Sequence, residues 1–303
     1  MARHKITLIL ILTVVIHSFS QSSIESFLKP SYTLNNSRRK AVYISEAAIG
    51  GLTLIGLHQL WYADFERSGF HTINDNSEWL QMDKMGHVFS SYQLGRAGAN
   101  VLNWSGANKN EQLLYGATLG LSFLTVVEIF DGFSKEWGFS WGDMIANGAG
   151  TGLYIGQELL WEEQRISLKY SFHQTKYAEL NPDKLGDGFL EELLKDYNGQ
   201  TYWLSFNMHS FFKNDHIPKW LNFAIGYGAE GMVFPYDESH IGLSSGNSRQ
   251  RQFYLSLDVD LSRVETKSHL LRSILDVLNV IKVPFPAVEF NDENGIKLHG
   301  IYF

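Results

Sequence analysis

Asp83 and His87 stand four residues apart in "DKMGHVF", Glu128 and Asp131 three apart in "VEIFDGFS", and Asp143 and Asn147 four apart in "WGDMIANGAG". Residues three or four apart share one face of a helix, so each pair presents both members to one side. If the three faces converge, they bring together carboxylates, an imidazole and an amide, with Lys84 beside them. Imidazole and carboxylate suit several divalent metals, and the same set is able to move protons. His87, Asp83, Glu128 and Asp131 are therefore the candidate ligands of a divalent metal. His87, Asp83, Lys84 and Glu128 are the candidates for acid/base catalysis, and Asp131, Asp143 and Asn147 those for holding a ligand. The same residues also have a purely structural reading: Ser140 to Asp143 has the form of a capping box, Asp83 is placed to cap its own helix, and His87 and Asn147 then become hydrogen-bonded core residues.

The elements that must position these residues are helical. From about Ala41 to Trp161 the apolar pattern has helical period, in four segments: "AVYISEAAIGGLTLIGLHQLWY", one starting near Asp83, "EQLLYGATLGLSFLTVVEIF", and one starting near Ser140. Gly116 and Gly120 in the third, and Gly148, Gly152 and Gly156 in the fourth, repeat every four residues, a spacing that lets helix backbones approach closely. Each segment also carries acids or a histidine in or beside its apolar run. Such groups are costly in lipid unless paired, so a compact bundle at or partly in a membrane is expected rather than four independent spans.

After Trp161 the period changes to two. Apolar and polar residues alternate at Ile166 to Phe172, Tyr202 to Met208, Leu221 to Tyr227 and Phe253 to Leu261, and Asn294-Gly295 marks a closing hairpin. One apolar-periodic helix, at about 268–281, interrupts the strands and stops before Pro284 and Pro286. The fold class expected is α+β: an N-terminal helical bundle with small-residue packing, then an antiparallel strand-rich domain forming a sheet or a partial barrel. Six visible strands are fewer than the eight of the smallest bacterial barrels, so a sheet with one face on the bundle fits best. The expected division is a signal peptide at 1–20, an N-terminal segment at 21–40, the bundle at 41–162 and the β domain at 163–303.

The first twenty residues set the compartment. Arg3 to Lys5 are basic, Ile6 to Ile16 are apolar but too few to span a bilayer, and Ser18 to Ser20 provide small residues for cleavage before Gln21. The chain has no cysteine, hence no disulfide framework and no thiol to take a lipid. Export without cysteine suits the periplasm or outer membrane of a Gram-negative bacterium, as does the aromatic terminal strand ending on Phe303. Charged residues are only 19% and aromatics 14%, against about 25% charged in a soluble domain, which points to apolar surroundings. A net charge of −7 argues against nucleic acid as partner and leaves a membrane or envelope lipid, or an envelope protein complex.

Two letter matches carry no chemistry. "GYGAEG" at Gly226 to Gly231 has the dinucleotide-binding spacing but lies in a strand that continues into Met232. That fingerprint works only where a strand gives way to a helix. "SFFK" at Ser210 to Lys213 lacks the companion motifs of the penicillin-binding enzymes.

The blocks "DKMGHVF", "VEIFDGFS" and "WGFSWGDMIANGAGTG", over Asp83 to Gly156, resemble the YfiM-like family of predicted periplasmic proteins. More distantly they are similar to the VanZ-like membrane family, associated with glycopeptide resistance. The resemblance marks Asp83, Lys84, His87, Glu128, Asp131, Asp143 and Asn147 as motif residues without assigned roles. Many YfiM-like proteins are lipoproteins, whereas this chain lacks the cysteine. The VanZ-like block usually has an arginine ahead of its second aspartate, and "FDGFSKEWGFSWGD" has none. The function expected is that of an exported, outer-membrane-associated envelope protein whose polar cluster binds a ligand or metal. The alternatives are a metal-dependent or acid/base enzyme acting on an envelope lipid or glycan, and a structural component of an envelope complex.

Overall fold

The computed structural model describes residues 23–62, 65–236, 248–293 and 295–302. The expected signal peptide, Asn294 of the hairpin and Phe303 lie outside them. Four long helices come first: α1 (Asn36–Leu57), α2 (Met82–Trp104), α3 (Leu119–Gly132) and α4 (Trp141–Leu160). Two short strands, β1 (Thr72–Ile73) and β2 (Phe139–Ser140), pair in parallel across the loops that lead into α2 and α4. The second half is an antiparallel meander of six strands in sequence order: β3 (Ile166–Phe172), β4 (Gln200–Asn207), β5 (Leu221–Glu230), β6 (Gln250–Val259), β7 (Phe285–Asn291) and β8 (Gly295–Tyr302). Helix α5 (His269–Leu278) is inserted between β6 and β7. The α+β class and the inserted helix are as the periodicity predicts.

Helix α2 is the hub. It packs against α3 and α4 on one side and against β3 and β4 on the other, where Phe89 meets the rings of Tyr170 and Tyr202, and the Tyr92 hydroxyl reaches Gln164 and the carbonyl of Ile166. Small residues make the helix contacts this close. A Cβ at Gly98 would lie 2.5 Å from the Gly116 carbonyl oxygen, and one at Gly150 would lie 2.1 Å from that of Val88. Here the glycine spacing misled: Gly148, Gly152 and Gly156 have nothing within 4 Å of a would-be Cβ. The helix turns its other face, with Gly150, Asp143 and Asn147, toward its neighbours, because burying that polar pair fixes its rotation. The Gly116 and Gly120 stripe on the third segment does pack, against Ala99 and Ser91.

The start of α2 is strained. Trp79, Leu80 and Gln81 take φ values of 46°, 51° and 66°, left-handed backbone that costs an L residue about 1–2 kcal/mol each. Downstream groups hold this turn in place. Trp79 N donates to Pro235 O (2.9 Å), the Tyr227 hydroxyl donates to Leu80 O, and Arg251 donates to Gln81 Oε1 (2.7 Å).

The sheet departs from the simplest expectation. The apolar face laid on the bundle comes from β3 and β4 and from the Tyr227–Ala229 end of β5. Along β5 and β6 the buried residues are, apart from the Tyr254 ring, small or polar, Asn222, Ala224, Gln252, Ser256 and Asp258 among them, whereas Phe223, Ile225, Phe253, Leu255 and Leu257 are exposed. Small side chains on β5 are required by a ring: Gly226 sits opposite Trp203, and a Cβ there would fall 2.8 Å from it. The interior so formed holds the fully buried Lys169–Asp258 ion pair at 2.8 Å.

Candidate functional site

Five of the six paired residues, Asp83, His87, Glu128, Asp143 and Asn147, converge at the end of the bundle that faces the β1–β2 loops. His87, one turn into α2, is fixed by Asn147 of α4, with Nδ1 3.0 Å from Asn147 Oδ1. With that oxygen as acceptor, Nδ1 carries the proton and Nε2 is left free. Nε2 faces three carboxylates at nearly equal distance: Asp83 Oδ1 at 3.8 Å, Glu128 Oε1 at 3.7 Å and Asp143 Oδ1 at 3.8 Å. These spacings exceed a hydrogen bond. Ligand atoms of Asp83, His87 and Asp143 all lie within 4.8 Å of one another.

Lys84 lies beside them, with Nζ 2.8 Å from Asp75, 3.0 Å from Asp83 and 2.8 Å from Asp143. Asp83 Oδ1 also accepts from the Tyr197 hydroxyl at 2.9 Å. The Glu128 carboxylate accepts from Ser140 N at 3.1 Å, and the Ser140 hydroxyl donates to Asp75 at 2.6 Å. The cluster is nearly closed: Glu128 and Asp143 are buried, while the Asp83 side chain, a quarter exposed, is its most open member. One fully buried donor of the set, Asn147 Nδ2, has no hydrogen-bond partner.

This geometry corrects the capping reading at both positions. Ser140 caps α4 by accepting from Asp143 N at 3.2 Å, but no reciprocal bond forms, since Ser140 N goes to Glu128 and the Asp143 carboxylate to Lys84. At α2 the capping position is Gln81, and Asp83 points into the cluster. Asp131 is the member that stands aside. It lies one turn past Glu128, and its carboxylate takes the Tyr62 hydroxyl at 2.7 Å rather than the His87 group. Sequence spacing missed Asp75 and Tyr197, which come from a loop and from the strand half and share no period with the rest. The tyrosine belongs to "KDYNGQTYW", a stretch notable only for its aromatic content.

Burial and charge set the protonation pattern. Desolvation pushes the Asp143 carboxyl up to about 8, with the Asp83 charge adding to the shift. Asp83 is held below its usual range despite its own desolvation, because His87 and Lys84 both favour its ionised form. The same carboxylates overcome desolvation at the two bases and hold Lys84 and His87 above their ordinary values. Desolvation and the Asp83 charge keep the Tyr197 phenol protonated, as a donor. A site that combines an ionised Asp83, an Asp143 carboxyl poised near neutrality and two bases raised by the carboxylates around them is able to exchange a proton or to give up protons on binding a metal.

Residues 68–156 match the model of a family described as "Predicted periplasmic lipoprotein (DUF2279)". The matched stretch contains β1, α2, α3, β2 and most of α4, and with them Asp75, Asp83, Lys84, His87, Glu128, Asp131, Asp143 and Asn147. Tyr197 lies outside it. No curated protein and no solved structure matches the chain. The family description supports an exported protein of the periplasm, in an envelope setting, and carries no activity.

Proposed function

We propose that this is an envelope protein, associated with the outer membrane, whose helical half binds a divalent cation between His87, Asp83 and Asp143, with Glu128 within reach. The YfiM-like and VanZ-like resemblance of the same blocks agrees with a shared polar site in an envelope protein. The observation that carries the reading is His87 itself. Its Nδ1 is tied to an amide oxygen, the arrangement by which metal-ligating histidines are oriented, and its Nε2 looks into carboxylate oxygens that are all too far away to be hydrogen-bonded. Asp143, on giving up its proton, and Asp83 both gain from a shared cation, and Lys84 offsets part of their charge.

Acid/base chemistry on an envelope lipid or glycan is the second reading, favoured by an Asp143 carboxyl lifted to about 8 beside an oriented imidazole. Metal analysis of the purified full chain, followed by titration with zinc and manganese, tests the first reading. Stoichiometric metal that is lost in a folded His87→Ala variant supports it. A protein that takes up neither metal, and whose His87→Ala variant merely melts earlier, has a cluster that only ties helices together.

A further inference from the structure

We infer that the outward face of β5–β8 lies against the acyl chains of a lipid bilayer, which deepens the membrane association proposed above by naming the surface that makes it. Phe223, Ile225, Phe253, Leu255, Ile296 and Leu298 are all exposed on this face, 36% to 77% of each. The opposite face mixes a small apolar cluster, Trp203, Ala224 and Tyr254, with the Lys169–Asp258 pair, Ser205, Asn222 and Glu289, all buried. The outward face is thus more apolar than the interior it covers, and a surrounding medium less polar than that interior is the physical condition that stabilises such a sheet.

Charge supports lipid as the occupant. Between Arg251 and Val259 every outward position on β6 is uncharged. Polar side chains stand at opposite ends of the band: Arg251, which donates to Gln81, lies opposite Ala229 at the end of β5, and Lys219, ion-paired with Glu265 at 2.8 Å, precedes its start, next to the half-exposed Trp220. Charged residues and tryptophan at the margins of an apolar band mark its boundary with water.

The same inversion recurs on elements with no part in the sheet. Helix α5 turns Asp276 inward to Arg96 and Asn100 and leaves Leu271, Ile274 and Val277 outside. Helix α1 exposes Ile44, Ile49, Leu52 and Ile55. A single protein partner covers one patch, whereas exposed apolar faces on three separate elements call for an apolar solvent.

The absence of cysteine permits a direct test. Single cysteines replacing Leu255 and Leu298, and Asp215 as an exposed polar control, are labelled with an environment-sensitive fluorophore in the full chain. The protein is then mixed with vesicles of phosphatidylethanolamine and phosphatidylglycerol in equal parts, carrying spin-labelled acyl chains. The inference expects blue-shifted emission and quenching several-fold stronger at positions 255 and 298 than at 215. Vesicle-bound protein whose labels at 255 and 298 stay aqueous overturns the assignment of this face and leaves membrane association standing. Failure to bind vesicles overturns both. Labels shielded without vesicles, with cross-links between copies, show that a second copy covers the face and overturn the lipid assignment. Metal content of the same samples reports on the His87 site separately.

Discussion

The Nδ1 atom of His87 lies 3.0 Å from Oδ1 of Asn147, and this contact between α2 and α4 decides which nitrogen of the imidazole is free. A neutral imidazole donates from one nitrogen and accepts at the other. Fixing the donor side on a buried amide points the acceptor side at the carboxylates. The amide is therefore a positioning residue, and the first expectation concerns it.

Asn147→Ala is expected to weaken zinc or manganese binding by about 10–100-fold, the usual effect of losing the group that orients a histidine ligand. His87→Ala should abolish binding altogether. Calorimetric titration of both variants measures this. Equal affinity in Asn147→Ala and the native chain removes the amide from the site.

The metal-free protein should lose stability as pH rises from about 4 to about 8. Asp143 has its folded carboxyl raised from an ordinary 3.8 to about 8. Within that window the folded state keeps a proton that the unfolded chain has released, so the favourable contribution, complete below pH 4, disappears as pH climbs through 8. His87, also raised, works in the same direction above its ordinary value. Thermal melts across this range should fall steadily for the native chain and less steeply for Asp143→Asn. A slope unchanged by the substitution assigns the effect elsewhere.

Two glycines on α4 should respond in opposite ways. Gly150→Ala drives a methyl onto the Val88 carbonyl and is expected to cost about 1–3 kcal/mol through helix displacement. Gly152→Ala adds a methyl in open space and should stabilise by about 0.5–1 kcal/mol through helix propensity. Chemical denaturation of the pair compares them. Equal effects would mean that the helix is rotated from the orientation described.

Lys282 is fully buried over the Trp203 ring at 4.7 Å, and burial pushes its ammonium down to about 8. Lys282→Met is expected to stabilise the protein at pH 7 by about 1–2 kcal/mol, because it removes a buried cation and keeps its volume. In the native chain the unfolded state binds more protons between about pH 8 and 10.5, so native stability rises there and the advantage of methionine shrinks. A methionine variant that is less stable at pH 7 would show that the ring contact with Trp203 and the hydrogen bond from the ammonium to Val283 O at 3.0 Å outweigh the desolvation.

The fold was largely readable from period alone. The switch from helical to alternating spacing near Trp161, the four alternating segments, the closing hairpin and the inserted helix all correspond to elements in place, since each rule rests on local geometry. The convergence of His87, Asp83, Glu128, Asp143 and Asn147 was legible for the same reason, as i,i+3 and i,i+4 pairs. Asp75 and Tyr197 were not, because they reach the cluster through tertiary folding. Periodicity also marks the two faces of a strand or helix without saying which is inside. The stripe of Gly148, Gly152 and Gly156, and the apolar residues of β5 and β6, both turned outward for that reason. Asp131 had the right spacing and still went to Tyr62, a partner supplied by the helical segment that continues α1.

The left-handed turn at Trp79, Leu80 and Gln81 ties the cluster to the second half of the molecule. Its strain is offset by Tyr227, Pro235 and Arg251, with Tyr227 lying 147 residues downstream of Leu80. Residues 68–156 contain all the helical residues of the cluster, yet Tyr227, Pro235 and Arg251, which brace the turn just ahead of Asp83 and Lys84, lie in the strand half. The stretch recognisable as a sequence unit is therefore not self-sufficient: the shape of its site depends on residues that come after it.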